Sequence, residues 1–162
     1  AAPKVEEKGK TFEENAAAKA LKIASFTKRL TIADDSGLEV EALGGRPGIY
    51  SARFAGENTT YEVNNRKLLR ALGGIPKPKR RAKFVCVIAI ADKNKLVGLV
   101  RGECIGRITF EPKGKNGFGY DPVFFSPKYN KTFAQLSSKE KNSISHRGRA
   151  LRKARKIIEG CL

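Results

Sequence analysis

Apolar and polar positions change their spacing several times along the chain, and each change marks a predicted element. Residues 11–29, "TFEENAAAKALKIASFTKR", are rich in Ala, Leu and Lys, and Thr11 with Glu14 makes a capping box, so a helix is predicted there. Leu30 to Ala33 reads as a short buried strand, "DDSG" at 34–37 as a turn, and "LEVEAL" as a half-exposed strand that alternates apolar and acidic residues. "GGRPG" at 44–48 is a loop. Thr59 with Glu62 suggests a second capping box, opening a helix through Leu68, Leu69 and Leu72 that stops at Gly73-Gly74. From Ala82 to Ala91 the chain is almost continuously apolar, the pattern of a strand covered on both faces. "DKNK" turns it into a second strand over about Leu96 to Phe110, and the two form a long hairpin. A glycine-rich loop, "KGKNGFGYDP", precedes a brief strand at "VFF". Ser137 with Glu140 makes a third capping box, and Ser145 to Glu159 reads as a final helix with Leu151, Ala154 and Ile158 facing inward. Helices and strands alternate, so the class is α/β, and 162 residues suit one domain spanning the whole chain.

No apolar run approaches the roughly 20 residues of a membrane span, and "AAPKVEEKGK" has no secretory apolar core. Cys86, Cys104 and Cys161 have no C-x-x-C spacing, and Cys86 lies inside an apolar run; reduced thiols and a cytoplasmic location are expected. With one histidine in the chain, a bound metal would be a hard ion held by carboxylates.

Charge is distributed unevenly. Residues 1–75 hold 12 Lys and Arg against 10 Asp and Glu, whereas residues 76–162 hold 21 against 6, which together make the net +17. Such asymmetry suits a polyanion, be it nucleic acid, membrane surface or nucleotide phosphate, and it also suits a solvated lysine-rich surface. Half of the 16 acids lie in residues 1–41, and carboxylates opposite a basic chain suit a metal-bound phosphate.

Three stretches combine residues that can do chemistry. Asp34 and Asp35 follow a predicted buried strand, where an Asp can hold Mg²⁺ or take a proton from water; the same tetrapeptide also makes an ordinary Asx turn. In "NGFGYDP", glycines let a flat ligand approach while Phe118 or Tyr120 stacks on it and Asp121 accepts hydrogen bonds; a turn packed by its own aromatics reads equally well. "EKNSISHRGRALRKARK" sets His146 and Arg147 in the first turn of a helix with Lys141 upstream, while Arg149, Arg152, Lys153, Arg155 and Lys156 read as a solvated helix face.

In order, "TFEENAAAKA", "ADDSGLEVEALGGRPGIYSARFAG", "NNRKLL", "RRAKFVCVIAIA", "GECIGRI", "NGFGYDPVFF" and "KTFAQLSSKEKNSISHRGRAL" closely resemble the inosine triphosphate pyrophosphatase family, from about Val5 to the C-terminus. The resemblance implies a hydrolase that cleaves ITP, dITP and XTP to the monophosphate and pyrophosphate with Mg²⁺, usually as a homodimer. It implies a three-layer α/β/α sandwich around a long mixed sheet, in two lobes with the nucleotide between them. By motif, Asp35 would activate water and bind metal, Glu6 would be the second metal ligand, and Ser36 would contact substrate. Glu14 and Lys19 would line the phosphate and metal site, with Asp34 in support. Phe118, Gly119, Tyr120 and Asp121 would form the nucleoside pocket with Lys141, His146 and Arg147. Side-chain donors there can bond a 6-keto oxygen, whereas adenine's 6-amino group offers no acceptor.

The family's opening strand and its T-G-N-x-x-K or S-G-N-x-x-K loop have no counterpart in these 162 residues. Two alternatives accompany the hydrolase reading: a truncated nucleotide-binding form of weak or no activity, and a basic nucleic-acid-binding module without catalysis. Beside the hydrolase reading, neither a membrane nor nucleic acid is expected as a partner.

Overall fold

A computed structural model describes residues 3–161. The fold is α/β, as expected. Helix α1 spans Phe12–Thr27, strand β1 Thr31–Val40, β2 Pro47–Gly48, helix α2 Tyr61–Ala71, β3 Arg81–Asp92 and β4 Lys95–Ile108. Short strands β5 (Phe124–Ser126) and β6 (Lys131–Thr132) follow, then helices α3 (Ser138–Ile144) and α4 (His146–Glu159). The six strands form one sheet in the order β2-β1-β3-β4-β5-β6. The pairs β1–β2, β4–β5 and β5–β6 are antiparallel. Adjacent β3 and β4 are joined by only Lys93 and Asn94, a link that permits a hairpin and no parallel crossover.

The chain divides into two compact units. One holds the residues up to Ser36, Val85–Glu103 and the residues from His146 onward; the other holds Gly37–Phe84 and Cys104–Ser145. In the first, Cys86, Ile88 and Ile90, alternate residues of β3, pack with Ala150 and Ala154 of α4. In the second, Leu38, Val40, Leu68 and Leu72 join a triad of rings, with Phe84, Phe124 and Phe133 centred 4.4 to 5.6 Å apart. Every residue from Phe84 to Ala91 is buried, as a strand covered on both faces requires.

Local signals were kept where their partners lie nearby in sequence. Ser137 Oγ accepts from the Glu140 N–H while the Glu140 carboxylate accepts from the Ser137 N–H, closing the expected capping box. Thr11 Oγ accepts from the Glu14 N–H, but the Glu14 carboxylate reaches back one residue further, to the N–H of Lys10. Helix α2 is capped by Thr60, whose Oγ accepts from the Val63 N–H, and not by Thr59. In α4 Ala154 is buried and Ile158 packs against the core, as expected, but the third inward residue is Ala150, while Leu151 is exposed. The tetrapeptide "DDSG" is no turn: β1 runs unbroken through it, and the chain leaves the strand only at a 3₁₀ turn over Glu41–Leu43. Turn composition is a weak preference, and a strand with partners on its ladder overrides it.

Gly102 of β4 has the closest backbone approach in the first unit. A Cβ there would lie 2.2 Å from the carbonyl oxygen of His146 and 2.5 Å from the nitrogen of Ala150. Both obstacles are helix backbone and cannot swing aside, so α4 rests directly on the strand. The Gly102→Ala substitution is expected to destabilise the protein by about 1–3 kcal/mol or more through overpacking. Urea denaturation checks this, with a lowered midpoint as the expected result.

Candidate active site

Because β1 is a strand, Asp34 and Asp35 point to opposite faces. Their surroundings differ accordingly. On one face, Asp35 is nearly buried and meets helix α1: Asn15 Nδ2 donates to Oδ2 at 3.2 Å and Lys19 Nζ to Oδ1 at 3.2 Å. Burial pushes the Asp35 carboxyl above the usual range, and the Lys19 ammonium and the Asn15 amide offset this only in part. Lys19 also donates to Glu7 Oε1 at 2.8 Å. Burial works to lower the Lys19 pKa, but its bonds and charge interactions with Glu7 and Asp35 prevail, so the ammonium is held protonated. Its shorter bond is to Glu7, at 2.8 Å against 3.2 Å to Asp35.

On the other face, Arg147 Nη2 donates to Asp34 Oδ2 at 2.9 Å and Ser36 Oγ to the same oxygen at 3.1 Å. Burial alone would raise the Asp34 pKa; the Arg147 bond and charge, with the Ser36 hydroxyl, outweigh it and hold this carboxyl below the usual range. The Cys86 thiol lies 4.0 Å from Asp34 Oδ2, and burial pushes its pKa up. One carboxylate is thus kept ionised by a guanidinium, while the other is made more basic. His146 opens α4 and is buried beside Arg147 in the sequence.

The acid brought to Asp35 is Glu7. Glu6, expected as the second metal ligand, is exposed and pairs with Lys8 at 2.5 Å. The Lys19 ammonium touches both Glu7 and Asp35, so two carboxylates distant in sequence converge on one cation. These hard oxygen donors fit Mg²⁺, which commonly uses one or two carboxylates and completes its shell with water and substrate phosphates. Among the described residues no group of three or more His, Cys, Asp or Glu gathers into a metal cage. Glu14, expected beside the phosphates, spends its carboxylate on the start of α1.

The second constellation lies within the other unit. Asp121 is buried, and its Oδ2 accepts from the Phe118 N–H at 2.9 Å and from the Lys141 ammonium. Gly117, with φ of 74°, makes room for it: a Cβ there would stand 2.0 Å from that oxygen. Tyr120 is buried and donates its hydroxyl to the Ser51 carbonyl at 2.7 Å, so it is a structural post. Phe118 is half exposed, with Lys141 Nζ 4.6 Å from its ring centre. Of the two aromatics in "FGYD", only Phe118 can offer a face to a planar ligand. The Gly119 carbonyl is held by Asn65 Nδ2 at 3.0 Å.

Asn15, Glu7 and Asn65 were missed by the sequence reading. Asn15 and Asn65 left a signal: each is a polar residue on the buried stripe of a helix, a costly position unless its amide has work to do.

An α/β sheet that carries a basic, half-dry carboxylate beside a fixed ammonium, and a loop that offers an aromatic face, define a protein equipped for acid–base chemistry on an anionic ligand. The Ham1 family pattern matches residues 1–157, and the chain belongs to that family. A protein of Desulforamulus reducens named dITP/XTP pyrophosphatase is 56% identical over 154 residues, which cover 95% of this chain and 77% of that one. One of the same name from Shouchella clausii is 52% identical over 158 residues, 98% of this chain and 80% of the other. The solved structure of the Staphylococcus aureus Ham1 protein superposes with a TM-score of 0.92 at 49% identity, covering 98% of this chain and 82% of that one.

Asp121 is buried and Lys141 half-buried, so losing the carboxylate leaves the ammonium poorly solvated without its partner. Asp121→Ala is expected to cost about 3–5 kcal/mol in urea unfolding. Adding Lys141→Met to it should recover part of that loss, a positive coupling in a double-mutant cycle.

Proposed function

We propose that this chain hydrolyses the non-canonical purine nucleoside triphosphates dITP, XTP and ITP to the monophosphate and pyrophosphate, clearing them from the nucleotide pool. The observation that carries the reading is Asp35: a carboxylate of raised basicity, fixed by Asn15 and Lys19 on a rigid strand. Such a group is suited to take a proton from a water molecule attacking phosphorus. In this reading the water oxygen bonds to the α-phosphorus, its proton passes to an Asp35 oxygen, and the bond to the pyrophosphate oxygen breaks. Lys19 keeps its charge because Glu7 holds it protonated, and that charge faces the phosphates. Asp34 stays ionised beside Arg147 and orients Ser36 for a substrate contact. Phe118 stacks on the purine, on a loop that the Asp121–Lys141 pair holds in shape. His146, Arg147 and Lys141 supply donors that favour a 6-keto oxygen over an amino group.

Glu7 and Asp35 would hold Mg²⁺, which when bound neutralises charge that develops on the phosphate oxygens. The names of the Desulforamulus and Shouchella relatives support the substrate class. A homodimer is proposed on family resemblance. A cytoplasmic location is proposed because Cys86, Cys104 and Cys161 form no disulfide among the described residues, which suits a reducing compartment.

The test is pyrophosphate release from dITP and XTP against dATP, with Mg²⁺ or with a chelator. Release from the first two, absent with chelator and far slower from dATP, is the expected result. Asp35→Asn should lower kcat by about 10²–10⁴-fold, the usual contribution of a positioned base, with the thermal unfolding transition retained. Unchanged turnover in that variant would remove Asp35 from its role.

A further inference from the structure

The run "RALRKARK" reads in sequence as a solvated helix face, but the fold gives four of its cations a common wall. Arg149, Arg152, Lys153 and Lys156 of α4 line an open groove of about 610 Å³ with Arg101 and Glu103 of β4 opposite. Their spacing of i, i+3, i+4 and i+7 puts them on one side of the helix. The close seat of α4 on Gly102 sets the groove's width, because a side chain at that position would part helix from strand. Two of the cations are oriented by the strand backbone: Arg149 Nη1 donates to the Glu103 carbonyl at 3.0 Å, and Lys153 Nζ to the Arg101 carbonyl at 2.6 Å. Bonds to carbonyls fix a charge in place without cancelling it. No aromatic or aliphatic side chain lines the groove; Arg101 on the strand side is paired with both Glu103 and Glu13, so the positive wall is the α4 side.

A ligand for such a surface is recognised by its negative charges and by their spacing along the row of cations. The lack of an aromatic face gives a base nothing to stack on, and the groove's apolar surface consists of arginine and lysine stems, a poor seat for an acyl chain. The seven helical steps from Arg149 to Lys156 advance about 10 Å. Phosphates of one DNA strand follow every 3.4 Å or so, and the four cations therefore face about three of them. We propose that this groove binds the phosphate backbone of nucleic acid without reading its sequence, in addition to the hydrolytic site and independently of it.

The experiment is fluorescence anisotropy of the full chain with labelled DNA duplexes of two unrelated sequences, over a series of salt concentrations. With about three phosphates neutralised, affinity should fall roughly 40-fold between about 50 and 200 mM salt, equally for both sequences. Lys153→Ala with Lys156→Ala should weaken binding and flatten the salt slope by about 2, one for each lysine, while dITP turnover and thermal unfolding match the parent. A charge-matched control outside the groove, Lys93→Ala with Lys95→Ala, should keep the parent slope. The proposal is overturned if the groove variant keeps the parent affinity and slope, if the control flattens the slope equally, or if polyglutamate displaces duplex as well as unlabelled duplex does.

Discussion

The carboxylate of Asp35 sits in a half-dry place with two donors, both from α1, and much of the first unit's polar architecture follows from keeping it there. Asn15 is the link: its oxygen accepts from the Gly9 N–H at 2.8 Å while its amide donates to Asp35 at 3.2 Å. One side chain therefore ties the segment before α1 to the strand after it. Lys19, one turn further along, repeats the connection from Glu7 to Asp35. A buried carboxylate tolerates this setting only if its bonds are made, and the helix supplies them on the face where Ala16, Ala20 and Ala24 lie fully buried. The basicity of Asp35 is thus set by what surrounds it, not by its residue type.

The two faces of β1 separate two tasks that a turn would have merged. Asp34 is locked to Arg147 and Ser36 and kept acidic; Asp35 is desolvated and kept basic. Neighbours in sequence thereby acquire opposite character, because alternate residues of a strand look into different environments. The nucleoside loop uses the reverse device. There an ion pair, Asp121 with Lys141, holds a loop in shape, and Phe118 stays half exposed beside it.

Short-range features were legible because their physics is short-range. The Ser137–Glu140 box, the buried run at 84–91 and the hairpin that follows depend on a few adjacent residues, and each formed where the spacing placed it. The motifs that carry the family resemblance were legible as well, and the family they pointed to is the one the chain belongs to. Errors came where a neighbour far along the chain had the deciding vote. Thr60 displaced Thr59 as a cap, and in α4 Ala154 and Ile158 face the core as expected while Ala150 takes the place expected of Leu151, which lies in solvent. Helical phase is set by what the helix lies on, here the backbone at Gly102.

By itself the amino-acid sequence determined the α/β class, the order of elements, the family and the residues able to act as base, shelf and cation. Those depend on composition, period and motif, which are written locally. Only the tertiary structure decided that Glu7 and not Glu6 joins Asp35, that Tyr120 is a post and Phe118 a surface, and that the tail cations share a groove with β4. Each of those outcomes is a contact between residues remote in sequence, and burial, which sets the basicity of Asp35, exists only once such contacts have formed.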